Sequence, residues 1–184
     1  MPEPEDSEYR KGATGIDADE YASLKERYLD RLADIAELGH AIASKDKELR
    51  LLKVQHADWS LRTHILSRLQ QSHTRMQQML AQKHRIFARR GLKKRLAAEM
   101  NLVARSGFFD AEWYLANNPD LVMSGVDPLR HFVMDGAYEL RDPGPQFSSF
   151  RYHKAYPDVT GGAVPALMHF LRNGRAEGRV AFSA

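Results

Sequence analysis

The sequence predicts an all-α protein: a long coiled-coil helix followed by a small helical tandem-repeat domain. Three observations predict it. Between residues 18 and 104 there is no proline, the only glycines are Gly39 and Gly91, and helix formers dominate. From Phe109 onward a 38-residue pattern occurs twice in constant register. No stretch of useful length alternates with period two, so essentially no sheet is expected.

Residues 1–17 hold Pro2, Pro4, Gly12 and Gly15 among acidic and polar groups and read as a disordered tail. Asp17 or Asp19 is placed to cap a helix that starts near residue 18. With Tyr21 at position a of a heptad, the a and d residues run Tyr21, Leu24, Tyr28, Arg31, Ile35, Leu38, Ile42, Lys45, Leu49 and Leu52, eight of the ten apolar. That density is a coiled-coil seam. The same frame loses its apolar character beyond Trp59, where a shifted frame through Ile65, Leu69, Met76, Met79 and Ile86 fits as well. The seam therefore drifts or stutters there. A helix of this length needs a helical partner. Self-association through Tyr21, Leu24, Tyr28, Ile35, Leu38, Ile42, Leu49 and Leu52 is expected, as a parallel dimer first and a trimer next. The pattern alone leaves antiparallel pairing open, as it does a hairpin turning at Gly39.

Net charge is only +3, but it is unevenly spread. Residues 1–52 carry 8 basic and 13 acidic side chains, residues 53–105 carry 12 and 2, and residues 106–184 carry 7 and 9. The basic centre is densest at Lys83, Arg85, Arg89, Arg90, Lys93, Lys94 and Arg95, interleaved with Ile86, Phe87, Leu92 and Leu96. Apolar residues among Arg and Lys suit a helix lying on an anionic membrane surface. Nucleic acid is the less favoured partner, because no base-reading motif accompanies the cluster.

The repeat occupies 105–184, its two members spanning 109–146 and 147–184. Eleven positions are identical, among them Tyr114/Tyr152, Pro119/Pro157, Asp120/Asp158, His131/His169, Gly136/Gly174, Glu139/Glu177 and Arg141/Arg179. Each member reads as two short helices. Asp110 and Ser148 can cap the first, Pro119 ends it, and Asp127-Pro128 opens the second, which stops near Gly136. The aromatics are expected in the core. Asp120 and Asp158 are expected to serve the turn after proline, His131 and His169 to be structural, and Glu139/Arg141 and Glu177/Arg179 to pair between repeats.

The stretch from Phe109 to Leu121, with its FDAEWYLANNPDL sequence, followed by Pro128-Leu129-Arg130-His131-Phe132, resembles the tandem repeat attached to bacterial glycosyltransferases of capsule and O-antigen synthesis. The second repeat matches best toward its end, through His169-Phe170 and Gly174-Arg175-Ala176-Glu177-Gly178-Arg179. In that family a basic helical segment often precedes the repeats. The resemblance covers about residues 106–180 and implies a setting in surface-polysaccharide assembly, with a glycosyltransferase or another assembly protein as partner. It departs from the pattern where Arg151 answers Trp113 and where Leu140 stands in place of a glycine.

The chemistry the sequence excludes is broad. There is no cysteine, so no disulfide, thiolate metal site or thiol nucleophile is available. No nucleophile–base pair, metal-ligand spacing or glycine-rich phosphate loop is legible, so neither cofactor nor catalytic residue is assigned. The expectation is a non-catalytic scaffold or spacer, cytoplasmic and peripheral to a bacterial inner membrane. The alternatives are a glycan-binding module using Trp113, Tyr114, Tyr152 and Tyr156, or a piece of a glycosyltransferase. His56, His64, His73 and His84 lie on the long helix without the spacing of a two-histidine metal site.

Overall fold

The structure is a computed structural model and describes residues 17–82 and 86–184, without the side chains of 18, 80, 82, 86–90, 92 and 93. The predicted tail up to residue 16, with Lys83, His84 and Arg85, lies outside the described residues. The protein is all-α. Helix α1 runs Ala18–Gln82 and α2 runs Ile86–Ala104. α1 opens after Asp17, whose carbonyl accepts from the Tyr21 N–H at 2.9 Å, and Asp19 and Glu20 sit in its positively polarised first turn.

The chain divides at residue 55. The part ending at Gln55 is the N-terminal portion of α1, fully exposed along its described length. The part from His56 to Ala184 holds the rest of α1, α2 and both repeats.

The first repeat contains α3 Ala111–Asn117, α4 Pro119–Val122 and α5 Pro128–His131; the second contains α6 Ser149–Ala155, α7 Pro157–Gly162 and α8 Ala166–His169. Each has three helical segments, not two. Pro119 and Pro157 end one helix and open the next, because proline's missing N–H costs nothing at a first helical position. α5 and α8 each run on into a π-helical turn, Phe132–Gly136 and Phe170–Gly174. Asp110 caps α3 by accepting from the Trp113 N–H at 3.0 Å, Ser148 caps α6, and Asp127 caps α5. Each repeat closes on its own start. The Asp110 N–H donates to the Pro143 carbonyl at 3.1 Å, and the Ser148 N–H to that of Phe182 at 2.5 Å. Among the described residues the only β contact is an isolated bridge between Gly144 and Phe147.

The core is aromatic. Phe109, Tyr114 and Phe132 cluster in the first repeat and Phe147, Tyr152 and Phe170 in the second, while Phe108 joins them, edge-on to Phe147 and Phe170 at 5.6 and 5.5 Å. α2 supplies Val103, fully buried, with Leu96 and Met100 packed beside it. α1 supplies a second cluster, in which Ile65 and Leu69 are buried against Leu140, with Leu61, Leu66 and Phe150 around them. A two-member repeat is too short to bury its own faces, and the helices complete it.

Candidate functional site

Three sets of residues carry the possibilities, and the structure places them differently. The repeated polar groups come first. The Tyr114 hydroxyl lies 3.0 Å from His131 Nδ1, and the Tyr152 hydroxyl 3.1 Å from His169 Nδ1. Gly136 and Gly174 lie so close beneath these hydroxyls that a Cβ at either position would collide with them. The π-helical turn brings each glycine to that spot, which explains the recurrence of Tyr, His and Gly together. Burial raises both phenols, that of Tyr152 to about 12, so they remain neutral hydrogen-bonding groups.

The Arg141 guanidinium grips Asp120 through two bonds of 3.0 and 2.9 Å and Glu139 through a third of 2.6 Å. Arg179 repeats the arrangement on Asp158 at 2.9 and 2.7 Å and on Glu177 at 2.5 Å. These pairs lie within each repeat, not between repeats as the sequence reading had them. They fasten the turn after the proline to the end of the same repeat. The side-chain bonds from Arg141 and Arg179 hold the Asp120 and Asp158 carboxyls below their usual range. In the first repeat Asn118 adds a further acceptor for Arg141, and in the second Tyr156 instead lies under Arg179, 4.7 Å from guanidinium to ring centre.

This accounts for the candidate sugar contacts. Tyr114 and Tyr152 are fully buried core residues and present no surface to a glycan. Tyr156 is half-buried between Arg179, Tyr152 and Phe182, its hydroxyl accepting from the Val180 N–H at 2.8 Å. Trp113 is half-buried. An open cleft of about 430 Å³ is lined by Gly125, Val126, Asp127, Arg130, His131, Met134 and Asp135. Its acids and its histidine are already engaged, Asp127 as a cap, His131 with Tyr114, and Asp135 with His73 at 3.2 Å. Among the described residues no three His, Asp or Glu side chains converge as a metal site requires.

The second set is the basic segment. Lys83 and Arg85 lie outside the described residues, as do the side chains of Arg89, Arg90 and Lys93; Lys94 and Arg95 are exposed. Of the apolar residues interleaved with them, the side chains of Ile86, Phe87 and Leu92 lie outside the described residues. Leu96, Met100 and Val103 are spent on the repeat core, and Glu99 forms an ion pair with Arg172 of the second repeat. No described helix is long and apolar enough to cross a membrane.

The third set is the heptad seam. Tyr21, Leu24, Tyr28, Ile35, Leu38, Ile42, Leu49 and Leu52 are each between 49% and 64% exposed. By contrast the shifted frame has a partner within the chain. Ile65 and Leu69 meet Leu140, Met76 receives the Tyr138 hydroxyl at 3.7 Å, and His73 stacks on the Tyr138 ring at 4.9 Å. Polar contacts line the same side, Asp58 to Lys154 at 2.6 Å and Arg68 to the Gly161 carbonyl at 2.6 Å. The drift beyond Trp59 thus marks where the helix turns its apolar side to the repeat. Met79 stays 61% exposed and Trp59 65%.

Sequence reasoning missed His153, Thr160 and Asp142. His153 is buried, with Nδ1 3.1 Å from Thr160 Oγ1 and no partner at Nε2. The corresponding first-repeat residues are Leu115 and Val122, and that polar-for-apolar exchange was a readable signal. Asp142 accepts from the Ser149 N–H at 2.6 Å and so starts the second repeat from the first. Comparison of the chain with models of known families, with curated proteins and with solved structures found no match.

Proposed function

We propose that this protein is a non-catalytic scaffold that pairs through its N-terminal helix and presents its helical repeat to a partner. The carrying observation is the run of eight exposed apolar side chains from Tyr21 to Leu52 in one heptad frame. At about 1 kcal/mol for each half-exposed side chain removed from water, a pair of such helices gains roughly 16 kcal/mol. That matches or exceeds the roughly 4–15 kcal/mol lost in freedom on association.

The setting rests on the resemblance of residues 106–180 to the repeats of capsule and O-antigen glycosyltransferases. It supports a place beside a glycosyltransferase in surface-polysaccharide assembly, with the protein acting as a spacer or holder. The membrane face is supported by the charge of the basic segment. Exposed Lys94 and Arg95 extend a sequence cluster with Arg89, Arg90 and Lys93. Each basic residue near an anionic surface contributes up to about 1 kcal/mol.

Flotation of the full chain with phosphatidylglycerol vesicles tests this part. Binding is expected at low salt, is lost as salt rises, and disappears when Arg90, Lys94 and Arg95 are all changed to Glu. Because the attraction is electrostatic, binding should not survive high salt. Salt-resistant binding, or retardation of nucleic acid with no vesicle binding, would overturn the membrane placement.

A further inference from the structure

We infer that the partner of the N-terminal seam is a second copy of this chain lying antiparallel to the first. The inference rests on the self-association proposed above and reverses the parallel orientation expected from the heptad alone.

The seam itself decides the orientation. Two of its d positions are basic, Arg31 and Lys45. In an in-register parallel pair d faces d, so Arg31 would meet Arg31 of the second chain and Lys45 would meet Lys45. Two layers of the interface would then set like charges against each other. A parallel trimer would gather three in each layer. In the antiparallel pair a faces d. Tyr21 then lies across from Leu52, Leu24 from Leu49, Ile35 from Leu38, Arg31 from Ile42 and Lys45 from Tyr28. No like charges meet. The Arg31 stem can lie along Ile42 while its head reaches water, and the Lys45 ammonium can sit over the Tyr28 ring. Each base also has an acid on its own helix, Arg31 with Asp34 at 3.4 Å and Lys45 with Glu48 at 2.8 Å, and both pairs are highly exposed. Such exposed pairs soften the repulsion without removing it.

The flanking charges complement both orientations and do not choose between them. Parallel chains would pair Glu20 with Lys25 and Glu48 with Lys53. Antiparallel chains would pair Arg27 with Glu48 and Lys25 with Asp46. Shape adds to the choice. In the antiparallel register Leu32 of one chain faces Gly39 of the other. Leu32 is 43% exposed, and nothing lies within 4 Å of where a Cβ on Gly39 would stand. A large side chain meets an empty position, which gives the glycine in mid-helix a reason to be there. In the parallel register Leu32 would face Arg27 instead.

The chain has no cysteine, so single introduced ones report without background. Leu24→Cys and Leu49→Cys would be made separately in the full chain and oxidised alone and as an equimolar mixture. Antiparallel pairing predicts about tenfold more cross-linked dimer in the mixture than in either variant alone, because only Leu24 and Leu49 come within disulfide reach. Spin labels at Val54→Cys, on the outer face, check this without touching the seam. They should lie about 50 Å apart in the antiparallel pair and within roughly 25 Å in a parallel one. Each variant cross-linking to itself, or a short label distance, would overturn the orientation and leave self-association standing. A chain that sediments as a monomer would remove both.

Discussion

Gly136 shows how one atom can explain a recurring residue. A Cβ there would run into the Tyr114 hydroxyl, yet the next nearest atoms, the ring carbon beneath it and His131 Nδ1, stand at 3.3 and 3.4 Å. Gly136→Ala should therefore cost about 1–3 kcal/mol through overpacking. Tyr114→Phe, which removes only the colliding oxygen, should make room for it. In urea unfolding the double variant is expected to be more stable than the sum of the two single losses allows, by on the order of 1 kcal/mol. His153 gives a second residue-scale prediction. Burial, reinforced by His169, lowers its imidazole from 6.5 to about 4. The unfolded chain then binds the proton more readily than the folded one between those two values. Stability is fully present above pH 6.5 and falls as pH drops toward 4, by roughly 3 kcal/mol. Replacing His153 by Leu and Thr160 by Val, the residue types of the first repeat, should flatten that slope when melting is compared at pH 7 and pH 4.5. An unchanged slope would place the acid sensitivity elsewhere.

At the scale of elements, Leu140 is the instructive position. It holds φ at +61°, where its second-repeat counterpart Gly178 holds +71°. The sequence showed a missing glycine there but not its reason. The Leu140 side chain is needed to meet Ile65 and Leu69 on α1, whereas nothing lies within 4 Å of a Cβ at Gly178. Leu140→Gly would relieve about 1 kcal/mol of backbone strain but lose about 2–5 kcal/mol of packing, so a net loss is expected in equilibrium unfolding. A stabilised variant would mean the contact with α1 carries little. The helical class and the caps at Asp110, Ser148 and Asp127 were legible because they are local, set by one residue and its near neighbours. The bidentate grip of Arg141 on Asp120, 21 residues away, was not, because period and identity show that a residue recurs without showing what it touches. The second heptad frame was visible as a drift. That its partner is the chain's own repeat required three-dimensional packing, since an apolar stripe reads the same whatever covers it.

At the scale of the molecule, apolar surface is handled in two ways. From His56 onward Ile65 and Leu69 of α1, and Leu96, Met100 and Val103 of α2, pack against the repeat. Before residue 55 the seam is left open to solvent. The central claim is that a second chain closes it. Sedimentation equilibrium of the full chain at tens of micromolar tests this most directly, beside a variant carrying Ile35→Asp and Ile42→Asp. Both positions are exposed in the single chain, 63% and 64%, so the variant should unfold in urea like the parent apart from any dependence on concentration. The account predicts twice the 21.0 kDa chain mass for the parent and the single mass for the variant. A monomeric parent, or a variant that remains dimeric, would contradict it.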